Sequence, residues 1–153
     1  TPDKRQLLTD YVNLGGGLLT LGGPYMYGAG AWQDSPLAAV LPVTIGARFD
    51  MQQMPGAANI SITPAGRQRL GSKLGVLGVI PWRNNVIPKP GTEIWLTAGK
   101  QPLAVAGIAG KGRVISILGA SVGEAPSGKV ALYDSPGWPA LLQRMLEYLT
   151  RGR

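Results

Sequence analysis

A chain of 153 residues, 44% hydrophobic and 15% charged, carries enough apolar material for one domain with a core and too little charge for a disordered segment. It contains neither cysteine nor histidine, so disulfides, thiolate nucleophiles, imidazole bases and the commonest metal ligands are excluded from the outset. Its net charge of +7 is spread over Arg67, Arg69 and Lys73, over Lys111 and Arg113, and over Arg151 and Arg153; this is the pattern of a solvated basic surface and argues against a nucleic-acid partner.

Thr1-Pro2-Asp3 is a helix start, with Thr as N-cap, Pro at the first helical position and Asp at the positive end of the helix dipole. Leu7, Leu8, Tyr11 and Val12 share a helical face and Gly15 suits a left-handed C-cap, which predicts a helix over 2–14. A strand is predicted at 17–21, because Leu18–Leu21 is a short apolar run between glycine clusters, as in a buried parallel strand. Asp34-Ser35-Pro36 opens a second, short helix through Val40, with Ser35 as N-cap and Leu37, Val40 and Leu41 on its buried side. Pro42 ends it. Val43–Phe49 alternates as a strand, residues 50–58 read as a loop, and Asn59–Ile62 as a short strand. Thr63-Pro64 caps a helix to Leu70.

Residues 71–91 are less legible. Val76–Ile80 is a strand or an apolar loop, Pro81, Pro88 and Pro90 indicate an irregular crossing, and Trp82 reads as a packing anchor. Glu93–Ala98 and Pro102–Ile108 are strands joined by a turn at Gly99-Lys100, and Ala109–Gly112 turns the chain again into the strand Arg113–Leu118. Such short connections join antiparallel neighbours, so a β-meander is predicted. Residues 119–134 form a Gly-rich loop, and Trp138, Leu141, Leu142, Met145, Leu146 and Leu149 follow the spacing of an amphipathic helix. No apolar run approaches the roughly 20 residues of a membrane helix, and no signal peptide is visible.

In an open α/β sheet, ligands meet the fold at loops beyond the carboxyl ends of strands. Here that loop is Gly22–Trp32, where Gly22, Gly23, Gly28 and Gly30 interleave with Tyr25, Tyr27 and Trp32; these are the candidate ligand- or partner-binding residues. The glycines either let backbone N–H groups approach an anion or simply allow tight turns. The aromatic residues form a stacking surface for a sugar or base, a lid on the sheet's end, or an interface patch. Gln33 stands where the third glycine of G-x-G-x-x-G belongs, and Gly110-Lys111-Gly112-Arg113 lacks the Ser or Thr of a phosphate loop. Ser35 and Ser121 have no G-x-S-x-G context and no histidine to activate them. The acids Asp3, Asp10, Asp34, Asp50, Glu93, Glu124, Asp134 and Glu147 are dispersed. No catalytic residue, metal site or cofactor is expected in this chain.

With these pieces placed, the chain resembles the class I glutamine amidotransferase-like domains, in the branch related to the trehalose-utilisation ThuA-like proteins. The resemblance rests on YVNLGGGLLTLGGPYMYGAGAW followed by SPLAAVLPV, then ITPAGRQRL, PLAVAGIAGKGRVISI and a Trp-containing C-terminal helix, in family order across nearly the whole chain. It implies an α/β, flavodoxin-like three-layer αβα fold with a mostly parallel sheet, here with an antiparallel C-terminal meander. It also implies a strand–helix–strand stretch before Thr1. This chain is then a piece of a longer protein, with a sheet edge left for another segment of the parent protein or for a second copy. Active members of the wider superfamily use a Cys nucleophile on a strand-to-helix elbow, assisted by His and Glu. No Cys stands at Leu21–Gly23 and no His can pair with Glu93, Glu124 or Glu147. The expectation is one domain over 1–153, a non-catalytic binding or interaction module of a larger bacterial protein. The alternative is an enzyme whose catalytic residues lie in a preceding segment or on a partner chain.

Overall fold

The computed structural model describes residues 2–151, so the Thr1 cap and Arg153 lie outside the described residues. Helix α1 (Pro2–Asn13) leads into strand β1 (Gly17–Gly22), as its sequence predicts. Gly15 makes the reversal at φ 114°, a left-handed value that side-chain-bearing residues avoid. Helix α2 (Leu37–Val40) is followed by the two-residue β2 (Val43–Thr44) and the long β3 (Met51–Ile62). Helix α3 (Pro64–Leu70) carries the expected cap, with Thr63 Oγ1 accepting the Gly66 N–H at 2.9 Å. Then come β4 (Val79–Asn84), β5 (Ile87–Pro88), β6 (Glu93–Ala98), β7 (Gln101–Ala109), β8 (Gly112–Ala120) and α4 (Trp138–Thr150). Among the described residues no helix is long and apolar enough to cross a membrane.

The sheet is mixed, which corrects the expectation of a mostly parallel one. Among the paired strands of the described residues only β1–β8 is parallel; β3–β4, β3–β6, β4–β8, β6–β7 and β7–β8 are antiparallel. The two-residue turns Gly99-Lys100 and Gly110-Lys111 leave no room for the crossover that parallel neighbours need. The pairings β8–β7–β6–β3–β4 return to β8 through the single register pair Arg83 and Gly119, while β1 lies on the edge of β8 opposite β7. The six strands and their flanking helices make an α/β fold.

Three local readings are corrected. Residues 50–58, expected as a loop, mostly belong to β3; the strand's pairing with β4 breaks between Gln53 and Ala58, where Gly56 (φ 65°) and Ala57 (φ 53°) absorb extra residues. The strand expected over 43–49 shrinks to Val43–Thr44, since only Ile87–Pro88 lies opposite, and Phe49 is exposed. Ser35 does not cap α2; its hydroxyl donates to Trp32 O at 2.8 Å.

Strand β8 explains the layering. Its alternate residues face opposite ways. Ile115 and Ile117 join a cluster with Leu70 of α3 and Leu141, Met145 and Leu149 of α4. Val114 and Leu118 join a second cluster with Val12 of α1 and Leu37, Val40 and Leu41 of α2. Each such fully buried aliphatic side chain contributes about 1.5–3 kcal/mol. Close approach is set by glycine: a Cβ on Gly17 would lie 2.6 Å from Leu149 O of α4. Helix α1 runs antiparallel to β1. Arg5 near its start donates to Gly30 O (2.7 Å) and Ala31 O (2.9 Å), beyond the carboxyl end of β1, and Asn13 at its end accepts the Lys111 N–H in the turn into β8.

Candidate functional site

The loop after β1 is packed tightly into the molecule rather than draped over it. Asn84, at the end of β4, accepts the Gly23 N–H (2.9 Å) and donates to Gly23 O (3.1 Å) through its amide nitrogen. The same nitrogen donates to Asp50 Oδ1 at 2.8 Å, and Asp50 Oδ2 accepts the Gly28 N–H at 3.1 Å. Asn84 and Asp50 are both buried. The two backbone amides best placed to meet an anion are thus already engaged with side chains of this chain. Gly28 has no room for more than hydrogen: a Cβ there would sit 2.0 Å from Ala47 O.

Beneath the loop lies a chain of hydroxyls. Tyr27 OH is 3.0 Å from Thr20 Oγ1, which is 2.8 Å from Ser116 Oγ, linking the loop, β1 and β8. Tyr27 is fully buried at φ 45°, and Ala31 also takes a left-handed value, φ 52°. A bulky residue in that region marks backbone strain held by its surroundings. Burial pushes the Tyr27 phenol up to about 12, with the nearby Asp50 charge adding to the effect and the hydrogen bonds from Thr20 and Ser116 opposing it.

The candidate residues therefore separate by role. Gly22 and Gly28 lie against backbone carbonyls, of Leu118 and Ala47 respectively, and Gly30 against Trp32 and Tyr25 O. Gly23 is held by Asn84. Tyr27 is core, and Trp32 is half-buried with its ring 4.9 Å from that of Tyr27. Tyr25 alone among the three aromatic residues points outward, at 84% exposure. Sequence reasoning missed Asp50 and Asn84, which hold the loop. A signal existed in the polar run Arg83-Asn84-Asn85 closing an otherwise apolar segment, but no spacing rule ties it to position 50.

Elsewhere several charged groups are engaged within the chain, although the buried Gln33 Oε1, Gln52 Oε1 and Arg83 Nε have no hydrogen-bond partner among the described residues. A cleft of about 240 Å³ includes Arg69, Lys89, Glu93 and Tyr148. There Arg69 makes two hydrogen bonds to Glu93, at 2.7 and 3.0 Å, which hold its carboxyl below the usual range, and Trp95 Nε1 adds a third at 2.8 Å. Lys89 Nζ is spent on Ala38 O at 2.8 Å. Arg83 is buried against Pro102 O (2.7 Å) and Asn85 Oδ1 (2.9 Å), and burial lowers its pKa.

Comparison with solved structures finds the same fold. Cytoplasmic protein STM1381 from Salmonella typhimurium LT2 superposes with a TM-score of 0.83 at 23% identity, over 96% of this chain and 60% of its own. Cytoplasmic protein STM3548 from Salmonella typhimurium gives 0.82 at 20% identity, over 95% and 59%. A "Putative thua-like protein" from Parabacteroides merdae gives 0.58 at 11% identity, over 98% and 65%. The chain thus spans about three fifths of the two Salmonella proteins. No curated protein sequence matches. Residues 1–150 match the family described as "Putative glutamine amidotransferase", and the chain belongs to that glutamine amidotransferase-like family.

Proposed function

We propose that this chain is a non-catalytic binding module, built on a glutamine amidotransferase-like scaffold, within a larger bacterial protein whose complete sheet is flavodoxin-like and three-layered. The observation that carries this reading is the state of the loop after β1. The sequence offers neither Cys nor His to it. The hydroxyls beneath it, on Thr20, Tyr27 and Ser116, are buried and bonded to one another, with no base to activate them. What the loop offers outward is Tyr25, on a backbone held by Asp50, Asn84 and Arg5. A rigid loop displaying an aromatic side chain is suited to contact, since little ordering entropy is lost on binding.

A photo-reactive benzoylphenylalanine replacing Tyr25 in the whole protein is expected to give a discrete cross-linked product in cells. The same group at exposed Lys100 should give none. No product from position 25, or identical products from both, removes the loop as the contact surface.

The second reading is an enzyme completed by a preceding segment or a partner chain. The buried Asp50 beside the loop favours it, because a carboxylate held by two donors at a strand's end is a usable anchor for a catalytic group. Residues 1–153 incubated with L-glutamine are expected to release no ammonia above buffer. Release that a point substitution in this chain abolishes overturns the non-catalytic reading.

A further inference from the structure

The cleft of about 240 Å³ that holds Arg69, Lys89, Glu93 and Tyr148 lies at the pole opposite the loop after β1. The end of β7, residues 106–109, forms one of its walls. There Ile108 is paired with Arg113 of β8, and Arg113 in turn with Gly17, the first residue of β1. The loop 22–32 follows the last residue of β1 and lends the cleft no side chain, so the two regions are independent.

The register of β7 makes the hollow. Its pairs with β6 stop at Ala106 and Glu93, while its pairs with β8 continue to Ala109 and Gly112. Residues 107–109 thus have no strand beside them on the β6 side among the described residues. Pro42 and Thr92 come over Gly107 instead, where a Cβ would lie 3.0 and 3.3 Å from their side chains.

Lys89 is built into this cleft at both ends. Its N–H donates to Pro42 O at 3.0 Å, and its carbonyl accepts the Thr92 N–H at 3.3 Å and the Thr92 hydroxyl at 2.6 Å. Its ammonium donates to Ala38 O at 2.8 Å and to Ala39 O at 3.4 Å. Both acceptors are neutral, so they anchor the cation without balancing its charge, and a third N–H is left over. Lys89 belongs to none of the ion pairs among the described residues, and burial lowers its pKa. A cation partly withdrawn from water with no counter-charge is costly, which favours an arriving anion.

The other charges of the cleft balance. Arg69 Nε and Nη2 both bond to Glu93, whose Oε2 also accepts Trp95 Nε1. Tyr148 is fixed beside them, edge-on to Trp95 at 4.7 Å and with Arg113 at 4.8 Å from its ring centroid. The single unbalanced charge on Lys89 matches a monoanion. A phosphomonoester, at about −1.5 to −2 near neutral pH, would leave excess negative charge beside Glu93. The volume is below the ~300 Å³ at which drug-sized pockets begin, so the ligand is small.

We propose that this cleft binds a small organic monocarboxylate, its carboxylate on the Lys89 ammonium and its apolar part against Val40, Leu41 and Ile108, which line the same hollow.

The test uses the full chain with sodium butyrate as probe, butyramide as its uncharged counterpart, and inorganic phosphate at equal ionic strength. Butyrate is expected to give saturable amide NMR shifts at residues 89–93 and 106–109, butyramide none, and phosphate weaker ones. Lys89→Met should weaken butyrate binding about tenfold or more, as loss of a charge-assisted hydrogen bond does. Lys100→Met, at an exposed turn, should leave it unchanged. The charged and titratable groups that share the cleft with Lys89 are Arg69, Glu93 and Tyr148, while α2 contributes carbonyls alone. In the unaltered chain, bound butyrate should therefore move the Lys89 titration to higher pH, because a neighbouring anion favours the ammonium. This second measurement decides the matter even where Lys89→Met does not fold. Equal shifts from butyramide, tighter binding of phosphate, full butyrate affinity in a folded Lys89→Met, or a Lys89 titration unmoved by butyrate each overturn the proposal.

Discussion

Asp50→Ala is expected to cost about 2–4 kcal/mol of stability, although the side chain is polar and belongs to neither apolar cluster. Its carboxylate accepts one hydrogen bond from Gly28 N–H and one from Asn84, both in buried surroundings. Removing it leaves two donors without acceptors, and each orphaned buried donor costs about 1–3 kcal/mol, partly offset by no longer burying the carboxylate. The loop cannot shift to find new partners cheaply, because Gly28 is wedged against Ala47 O. Asp50→Asn should lose roughly half as much, since an amide oxygen can accept one of the two donors while its nitrogen points a donor at the other. Urea unfolding gives the answer through the midpoint at an unchanged slope. A loss below about 1 kcal/mol for the alanine variant means the loop is not held by this carboxylate.

Alkaline pH is expected to remove about 2–3 kcal/mol through Tyr27. The unfolded phenol ionises from about pH 10, whereas burial in the folded chain pushes it up to about 12. Between those values the unfolded state binds fewer protons than the native state, so stability falls as pH rises. The contribution is whole below pH 10 and is lost on passing 12. Tyr133, also raised by burial first and by Tyr27 second, acts in the same direction. Unfolding free energy measured from pH 9 to 12 should decline for the natural chain and decline less for Tyr27→Phe. Parallel slopes for the two proteins exclude Tyr27 as the source. The variant also loses the bond to Thr20, which lowers its stability at every pH and leaves the slope interpretable.

Helices α1, α3 and α4 were legible because their signals are local. Pro64 beside Thr63, Gly15 after Leu14, and the apolar spacing from Trp138 to Leu149 depend on residues a few positions apart. The same holds for the meander β6–β7–β8, set by its two short turns. What escaped was set at long range. Strand β3 looks like a loop because Pro55, Gly56 and Ala57 interrupt its alternation, and only pairing with β4 makes it a strand. The mixed sheet follows from which strands meet, and a resemblance to flavodoxin-like proteins over-weighted the one parallel pair. At the site, the glycines and aromatic residues of 22–32 stood out because they are neighbours in sequence. The residues that hold them come from positions 50 and 84, and Ser116 lies 96 residues from its partner Thr20. A buried hydrogen bond across such a separation leaves no periodicity to read.

The position of β8 has a consequence for the order in which the chain can be assembled. It pairs with β1, β7 and β4, and among the described residues it is the last strand in chain order. Until residues 112–120 leave the ribosome, β1 lacks β8, its partner among the described strands, and the loop closed by their meeting spans most of the domain. Closing so long a loop is entropically slow. The leucines of β1 therefore wait without β8 while residues 23–111 are made, and what shields them in that interval governs how much nascent chain escapes aggregation.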